Sequence, residues 1–248
     1  MSNPNVTISS DYGQIIININ DTQIGRKISE SGYWAKDDIE LIKILIDHLL
    51  ETKKSIVLYD IGANIGTHSL AIAKTYGEKV RVRAFEAQKH VFYMLAGTIA
   101  LNGLRNIDCH NLAVSDQQNT QIEFGIPDYN IQNNFGGLEL IKPNRSDNDA
   151  IRKSGIESVL SVTIDSFSED VDFIKMDIEG MEHLAMRGAI NTLEVKRPIW
   201  FIEILKTEIE EVIGLLQRNN YCGFQKSENL IAIPVERNIQ INSLSRVF

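Results

Sequence analysis

The chain has 248 residues, 43% of them hydrophobic, enough to bury the core of one large α/β domain or of a domain with a small extension. A net charge of −8 with no basic stripe argues against a nucleic-acid partner. No apolar run reaches bilayer-spanning length and the start, MSNPNVTISSDYGQ, lacks the features of a signal peptide, so the expectation is a soluble, cytoplasmic protein without membrane insertion.

Residues 1–36 read as a β-rich extension and linker: VTISS and QIIININ flank a turn at Asp11–Gly13, and Gly32, Tyr33 and Trp34 lead onward. Residues 37–248 read as the main domain. Asp37 and Asp38 favour a helix start, Lys53 and Lys54 its end, and Ile39, Ile42, Leu45, Ile46 and Leu49 form one apolar stripe between them. Strands are predicted at Ile56–Asp60, Val80–Glu86, Ile107–Ala113, Phe173–Asp177 and Ile199–Ile204. Helices are predicted at Ile65–Tyr76, Lys89–Leu101, Met181–Leu193 and Thr207–Asn219. That alternation predicts a parallel sheet with right-handed crossovers and helices on both faces. The stretch 115–160 breaks the rhythm as an irregular insertion with two or three short β-like pieces, and long connections of this kind are usually functional or disordered. A hairpin, Tyr221–Gln225 with Leu230–Val235, closes the chain. Cys109 and Cys222 have no metal-ligand spacing and read as small packed apolar residues.

The most informative segment is IVLYDIGANIG, residues 56–66. A strand ends in an acid, a glycine turn follows, and a helix begins, an arrangement that brings backbone N–H groups and a helix N-terminus to a ligand. A dinucleotide fingerprint needs glycine at the first, third and sixth turn positions. Here those positions hold Gly62, Asn64 and Thr67, so a nicotinamide oxidoreductase is excluded. Glu86, twenty positions after Gly66, stands about where such folds place a carboxylate on ribose hydroxyls.

DIGANIG at 60–66, FEA at 85–87, VTIDSF, VDFIKMDIEGMEHLAMRGA at 171–189 and RPIWFIEI together resemble the FkbM-like methyltransferases that use S-adenosylmethionine. The resemblance implies a Rossmann-like class I methyltransferase fold, with a seven-stranded, mostly parallel sheet and a reversed last strand. It implies that Asp60, Gly62, Asn64 and Gly66 cradle the amino-acid part of the cofactor, that Glu86 takes its ribose, and that Ser115 and Asp116 contact adenine.

Methyl transfer to a hydroxyl needs positioning and a base. Asp177, at a strand end, is the first choice and Glu179 the second. Two positions apart on an extended segment they point the same way, and Lys175 on that face either holds them ionised or forms a structural ion pair. Asp177, Glu179 and Glu203 also allow Mg²⁺, but nothing further in the sequence completes a metal site, and a metal-free reading is preferred. His68, inside the first helix, could face the cofactor but reads rather as a packing residue, and His183 reads as a surface one. Tyr33, Trp34, Asn133, Asn134 and Phe135 combine aromatic faces with amides, a chemistry suited to a small-molecule or glycan acceptor, the alternative being that Trp34 caps the core while NNFGG makes a turn. Arg145, Arg152 and Lys153 read as a solvated run that could otherwise meet an anion. The function expected is O-methylation of a sugar, glycan precursor or polyketide-like metabolite. The presence of Glu86, Asp177 and Glu179 argues against a catalytically silent cofactor-binding module.

Overall fold

The computed structural model describes residues 3–141, 153–241 and 244–248. Asn5–Ser10 (β1) and Gly13–Asn18 (β2) form the expected N-terminal hairpin. Period-2 alternation puts Ile15 and Ile17 on one buried face. They pack with Ile65, Val91 and Met94, so the hairpin shares a core with the main body. The expected linker contains a helix, Ile24–Ser31 (α1). Asp21 accepts the N–H groups of Gln23 and Gly25 at 3.0 and 2.9 Å, which satisfies orphan donors of its first turn. Sequence periodicity missed this helix because Ile24 and Ile28 alone mark its apolar side.

Lys36–Leu50 (α2) follows, with Ile39, Ile42, Leu45, Ile46 and Leu49 buried as the stripe predicts. Next come Ile56–Ile61 (β3), Thr67–Tyr76 (α3), Val80–Phe85 (β4), Lys89–Leu101 (α4) and Ile107–His110 (β5). The third expected strand stops at His110, and Ala113–Val114 (β6) leaves to join a second sheet with Gln121–Pro127 (β7) and Lys153–Val162 (β8). The insertion is thus built on an antiparallel β7–β8 ribbon rather than being irregular throughout. Arg145 and Arg152 lie outside the described residues, as does the side chain of Lys153. The chain continues through Phe173–Met176 (β9), Glu182–Arg187 (α5), Ile199–Glu203 (β10), Ile209–Arg218 (α6), Tyr221–Lys226 (β11), Asn229–Pro234 (β12) and Ser245–Arg246 (β13).

The main sheet has the order β13-β11-β12-β10-β9-β3-β4-β5. β10, β9, β3, β4 and β5 are mutually parallel, while β12 runs antiparallel to β10 and β11. The strand count is eight and not seven, because the short β13 pairs Ser245 and Arg246 onto the edge strand β11. Successive strand residues feed opposite faces. Leu58, Val82 and Phe173 pack under α2 with Leu45 and Leu49. Tyr59, Ile174 and Trp200 pack on the other face with Ala185 and Leu216. β3 lies between β4 and β9, so the chain turns both ways from it and leaves a crevice at the strands' carboxyl ends. Among the described residues, no helix is long and apolar enough to cross a membrane.

Candidate active site

A cavity of about 470 Å³ opens at the carboxyl ends of β3, β4, β9 and β10, within the usual size range of a small-molecule site. The N-terminal region contributes Gln23, Ile24, Trp34 and Ala35 to its wall, and the insertion contributes Asn134, Gly136, Gly137, Leu138 and Leu140. These two parts are fastened to each other: Thr22 donates its N–H to the Asn133 carbonyl at 2.9 Å, and Asn133 donates to the Asn20 carbonyl at 3.0 Å.

The glycine turn forms the floor. Gly62 has φ = 77°, and a Cβ there would lie 1.8 Å from the Asp177 carbonyl oxygen, so only glycine fits. Gly62 and Ala63 donate their N–H groups to the Phe85 carbonyl at 3.0 and 2.9 Å, which ties the turn to the end of β4. Glu86 then accepts the Asn64 N–H on one oxygen at 2.9 Å and the Gln88 N–H on the other at 2.8 Å. Burial pushes its carboxyl up to about 7 even though these donors favour the charged form. Glu86 lines the cavity, and each oxygen keeps a second acceptor position for a diol.

Asp60 and Gly66 are behind this surface rather than on it. Asp60 is fully buried, accepts the Ser69 hydroxyl at 2.6 Å, and stands 3.2 Å from the Lys175 ammonium, which also donates to the Gly62 carbonyl at 2.8 Å. Burial works to raise the Asp60 carboxyl, but Lys175, with smaller contributions from His68 and Ser69, brings it below its ordinary value. Lys175 therefore holds Asp60 ionised and anchors the turn. Gly66, at φ = 94°, begins α3, and a Cβ would meet Leu95 at 2.7 Å.

The strand-end acids divide. Asp177 lines the cavity and makes no side-chain hydrogen bond among the described residues, while its N–H is fixed on the Ile61 carbonyl at 3.0 Å. Glu179 does not repeat its direction. Its backbone is left-handed, φ = 56°, because the extended segment ends there, and its carboxylate pairs with Lys206 at 2.5 Å. Burial, then the charge of Asp177, pushes Glu179 up to about 7. Glu182, absent from the sequence expectations, is fully buried and caps the turn, accepting the N–H groups of Ile178 and Gly180 at 2.8 and 3.1 Å. Glu203 ends β10 with one oxygen buried and unbonded, and burial plus Asp177 raises it to about 8. Ligand atoms of Asp177, Glu182 and Glu203 lie within 4.8 Å of one another, so the carboxylates that converge include Glu182 in place of Glu179.

Other expected residues are only partly brought together. Trp34 and Asn134 line the cavity. Tyr33 instead lies against Lys27 and Lys36, each ammonium 5.3 Å from its ring. Asn133 serves the seam to the N-terminal region, and buried Phe135 packs on Tyr129 at 4.9 Å while its carbonyl accepts from Gln88. Ser115 is buried and turned to its own loop, accepting the Gln117 N–H at 3.1 Å. Neither it nor Asp116 reaches the wall, which is made there by Leu112, Ala113 and Val114. His183 is buried beside Thr207, with Nδ1 3.3 Å from the hydroxyl, and is not a surface residue. His68, read as a packing residue in preference to one facing the cofactor, lines the cavity. Cys109 is half-buried, Cys222 is buried, and both are free thiols.

An acid-flanked glycine turn at the switch point of a mostly parallel sheet, under a cavity with a second acid at the next strand end, defines a Rossmann-like domain with a small-molecule site at its strand ends. The family model for the methyltransferase FkbM domain matches residues 60–225, and the chain belongs to that family. The fold is similar to that of methyltransferase FkbM from Methylobacillus flagellatus KT, with 18% identity and a TM-score of 0.52 over 72% of this chain. The chain spans 43% of that protein's length. M. jannaschii TYW2 in complex with AdoMet gives 14% identity and a TM-score of 0.46 over 94% of this chain and 84% of that one. A SAM-dependent O-methyltransferase from Thermotoga maritima gives 12% and 0.47 over 94% and 78%. No curated protein matches the chain.

Proposed function

We propose that the protein is an S-adenosylmethionine-dependent O-methyltransferase whose acceptor is a hydroxyl of a sugar, glycan precursor or polyketide-like metabolite. The observation that carries this reading is Asp177, an unbonded carboxylate on the cavity wall whose backbone seats Gly62 of the glycine turn.

The residues present fit the cofactor. Glu86 offers acceptors for the ribose diol, Leu112, Val114 and Leu138 offer an apolar slot for a flat base, and the turn from Gly62 to Asn64 offers a small-residue floor for the amino-acid end. When bound, S-adenosylmethionine supplies a methyl group on a cationic sulfur. The chain's own residues position the acceptor in line, exclude water, and take up the hydroxyl proton. Asp177 presents fixed negative charge where positive charge is brought in, and Trp34 and Asn134 provide an aromatic face and an amide for a polyhydroxylated acceptor. The clustering of Asp177, Glu182 and Glu203 supports a second possibility for activating the hydroxyl, a hard cation such as Mg²⁺. Glu182 is already engaged by two N–H groups, which favours the metal-free route.

Isothermal titration with S-adenosylmethionine, and separately with NAD, tests the cofactor. Micromolar binding of the former alone supports the reading and justifies an acceptor screen beginning with neutral sugars. Binding of NAD alone overturns it.

A further inference from the structure

We propose that His68 is a catalytic base of this site: its imidazole accepts the proton of the acceptor hydroxyl, and Asp177 stabilises the imidazolium that forms. This rests on the methyltransferase reading of the cavity and assigns the proton a destination within it.

Most titratable groups on the cavity wall already have partners: Lys175 with Asp60, Glu86 with two N–H groups, Glu179 with Lys206, and Asp38 with Lys226. Glu228 is exposed at the rim. Among the described residues, that leaves Asp177 and His68 as wall groups without a side-chain hydrogen bond inside the mouth, while Glu203 keeps one buried oxygen unbonded. His68 is half-buried in the first turn of α3, directly after the glycine turn, so the element that shapes the cofactor loop also fixes the imidazole.

The charges acting on His68 come from each element packed around it: Lys175 on β9, Asp60 on β3, Asp177 beyond β9 and Asp38 on α2. Burial, reinforced by Lys175, holds the imidazole down at about 4, so at neutral pH it is uncharged with a free lone pair. In the transfer, the acceptor oxygen forms its bond to the methyl carbon. The S–C bond breaks with its electron pair left on sulfur, and the O–H proton passes to the imidazole nitrogen. One positive charge leaves sulfur and one appears on His68. Asp177 faces a cation before and after the step. Protonating Asp177 instead would discharge that stabilising anion as the reaction proceeds.

The test compares two ligands that share the adenosine and amino-acid parts and differ in charge at sulfur: S-adenosylmethionine and S-adenosylhomocysteine. Binding of each is measured by calorimetry, and the histidine ring nitrogens are followed by ¹⁵N NMR, His68 being assigned with His68→Gln. The expected result is a His68 titration midpoint lower by about one pH unit or more with the cationic ligand. At neutral pH the expectation is a change in the His68 ring shifts between the two complexes that His110 and His183 do not share. If both ligands bind and the His68 ring does not distinguish them, the proposal falls and the cofactor reading stands. A midpoint raised equally by both would place the ring on the shared carboxylate, which also overturns it. Failure of both ligands to bind removes the methyltransferase reading and this proposal with it.

Discussion

The Cβ that Gly62 lacks would lie 1.8 Å from the carbonyl oxygen of Asp177. The cofactor turn and the carboxylate-bearing strand end are therefore in backbone contact, and neither can be moved without the other. Asp177 reinforces this by donating its own N–H to Ile61, the residue before Gly62.

Gly62→Ala meets both a left-handed φ and a backbone oxygen that cannot turn aside. We expect a loss of more than about 2 kcal/mol of stability in urea unfolding, together with loss of cofactor binding. A variant as stable as the parent would mean that the contact is looser than described.

The Asp60–Lys175 pair is buried at both ends, so removing one partner leaves the other charged and alone. Asp60→Asn or Lys175→Met should each cost about 3–5 kcal/mol, while replacing both together should cost clearly less than the sum. Chemical denaturation of the full cycle measures this. Strict additivity would show that the two groups act independently.

Acid stability follows from the cavity carboxyls. Burial, the first cause in each case, raises Glu86, Glu179 and Glu182 to about 7 and Glu203 to about 8. In the unfolded chain such groups titrate at about 4.3. Between those limits the native state holds more protons than the unfolded state, so stability falls as pH rises from about 5 to 8. Glu203→Gln removes one of these groups and should flatten the fall, since its buried oxygen has no hydrogen bond to lose. Urea midpoints across that range check both statements, and a parent midpoint that rises with pH would contradict the assigned directions.

Asp177→Asn keeps the shape of the wall and removes its charge. Turnover of an identified acceptor should drop about 10²–10³-fold, and S-adenosylmethionine should bind more weakly while S-adenosylhomocysteine, uncharged at sulfur, changes little. If turnover survives the substitution, Asp177 has no part in the chemistry. Loss of parent activity with a chelator would instead assign the cluster of Asp177, Glu182 and Glu203 to a cation.

Asp21 joins the N-terminal region to α1, and Thr22 beside it bonds to Asn133 of the insertion. Asp21→Ala should cost about 1 kcal/mol through the lost cap. It should also speed amide exchange at Thr22 and Asn133. Unchanged exchange at those two amides would show that the seam does not depend on the cap.

The sequence by itself determined what local geometry dictates. Alternating strand and helix patterns gave the order of elements, with α4 at Lys89–Leu101 as expected, and the spacing of Gly62, Asn64 and Gly66 specified a turn that is not a dinucleotide fingerprint. Glu86 and Asp177 could be placed on the cavity because each follows a strand directly, and strand ends in a parallel sheet converge. Tertiary structure decided which polar groups were already engaged. Asp60 looked like a ligand to the cofactor, but Lys175 on the neighbouring strand β9 holds it beneath the surface. Glu179 shared a predicted face with Asp177 until one left-handed residue and Lys206 turned it aside. Ser115 spends its hydroxyl on its own loop, while Glu182 spends its carboxylate on the turn before α5. His68 took the cavity-facing alternative, and His183, read as a surface residue, is buried against Thr207. Periodicity reports the direction in which a side chain leaves its own backbone. The partner that meets it comes from an element that may be more than a hundred residues away, as Lys175 is from Asp60, and only the folded chain brings that partner within reach.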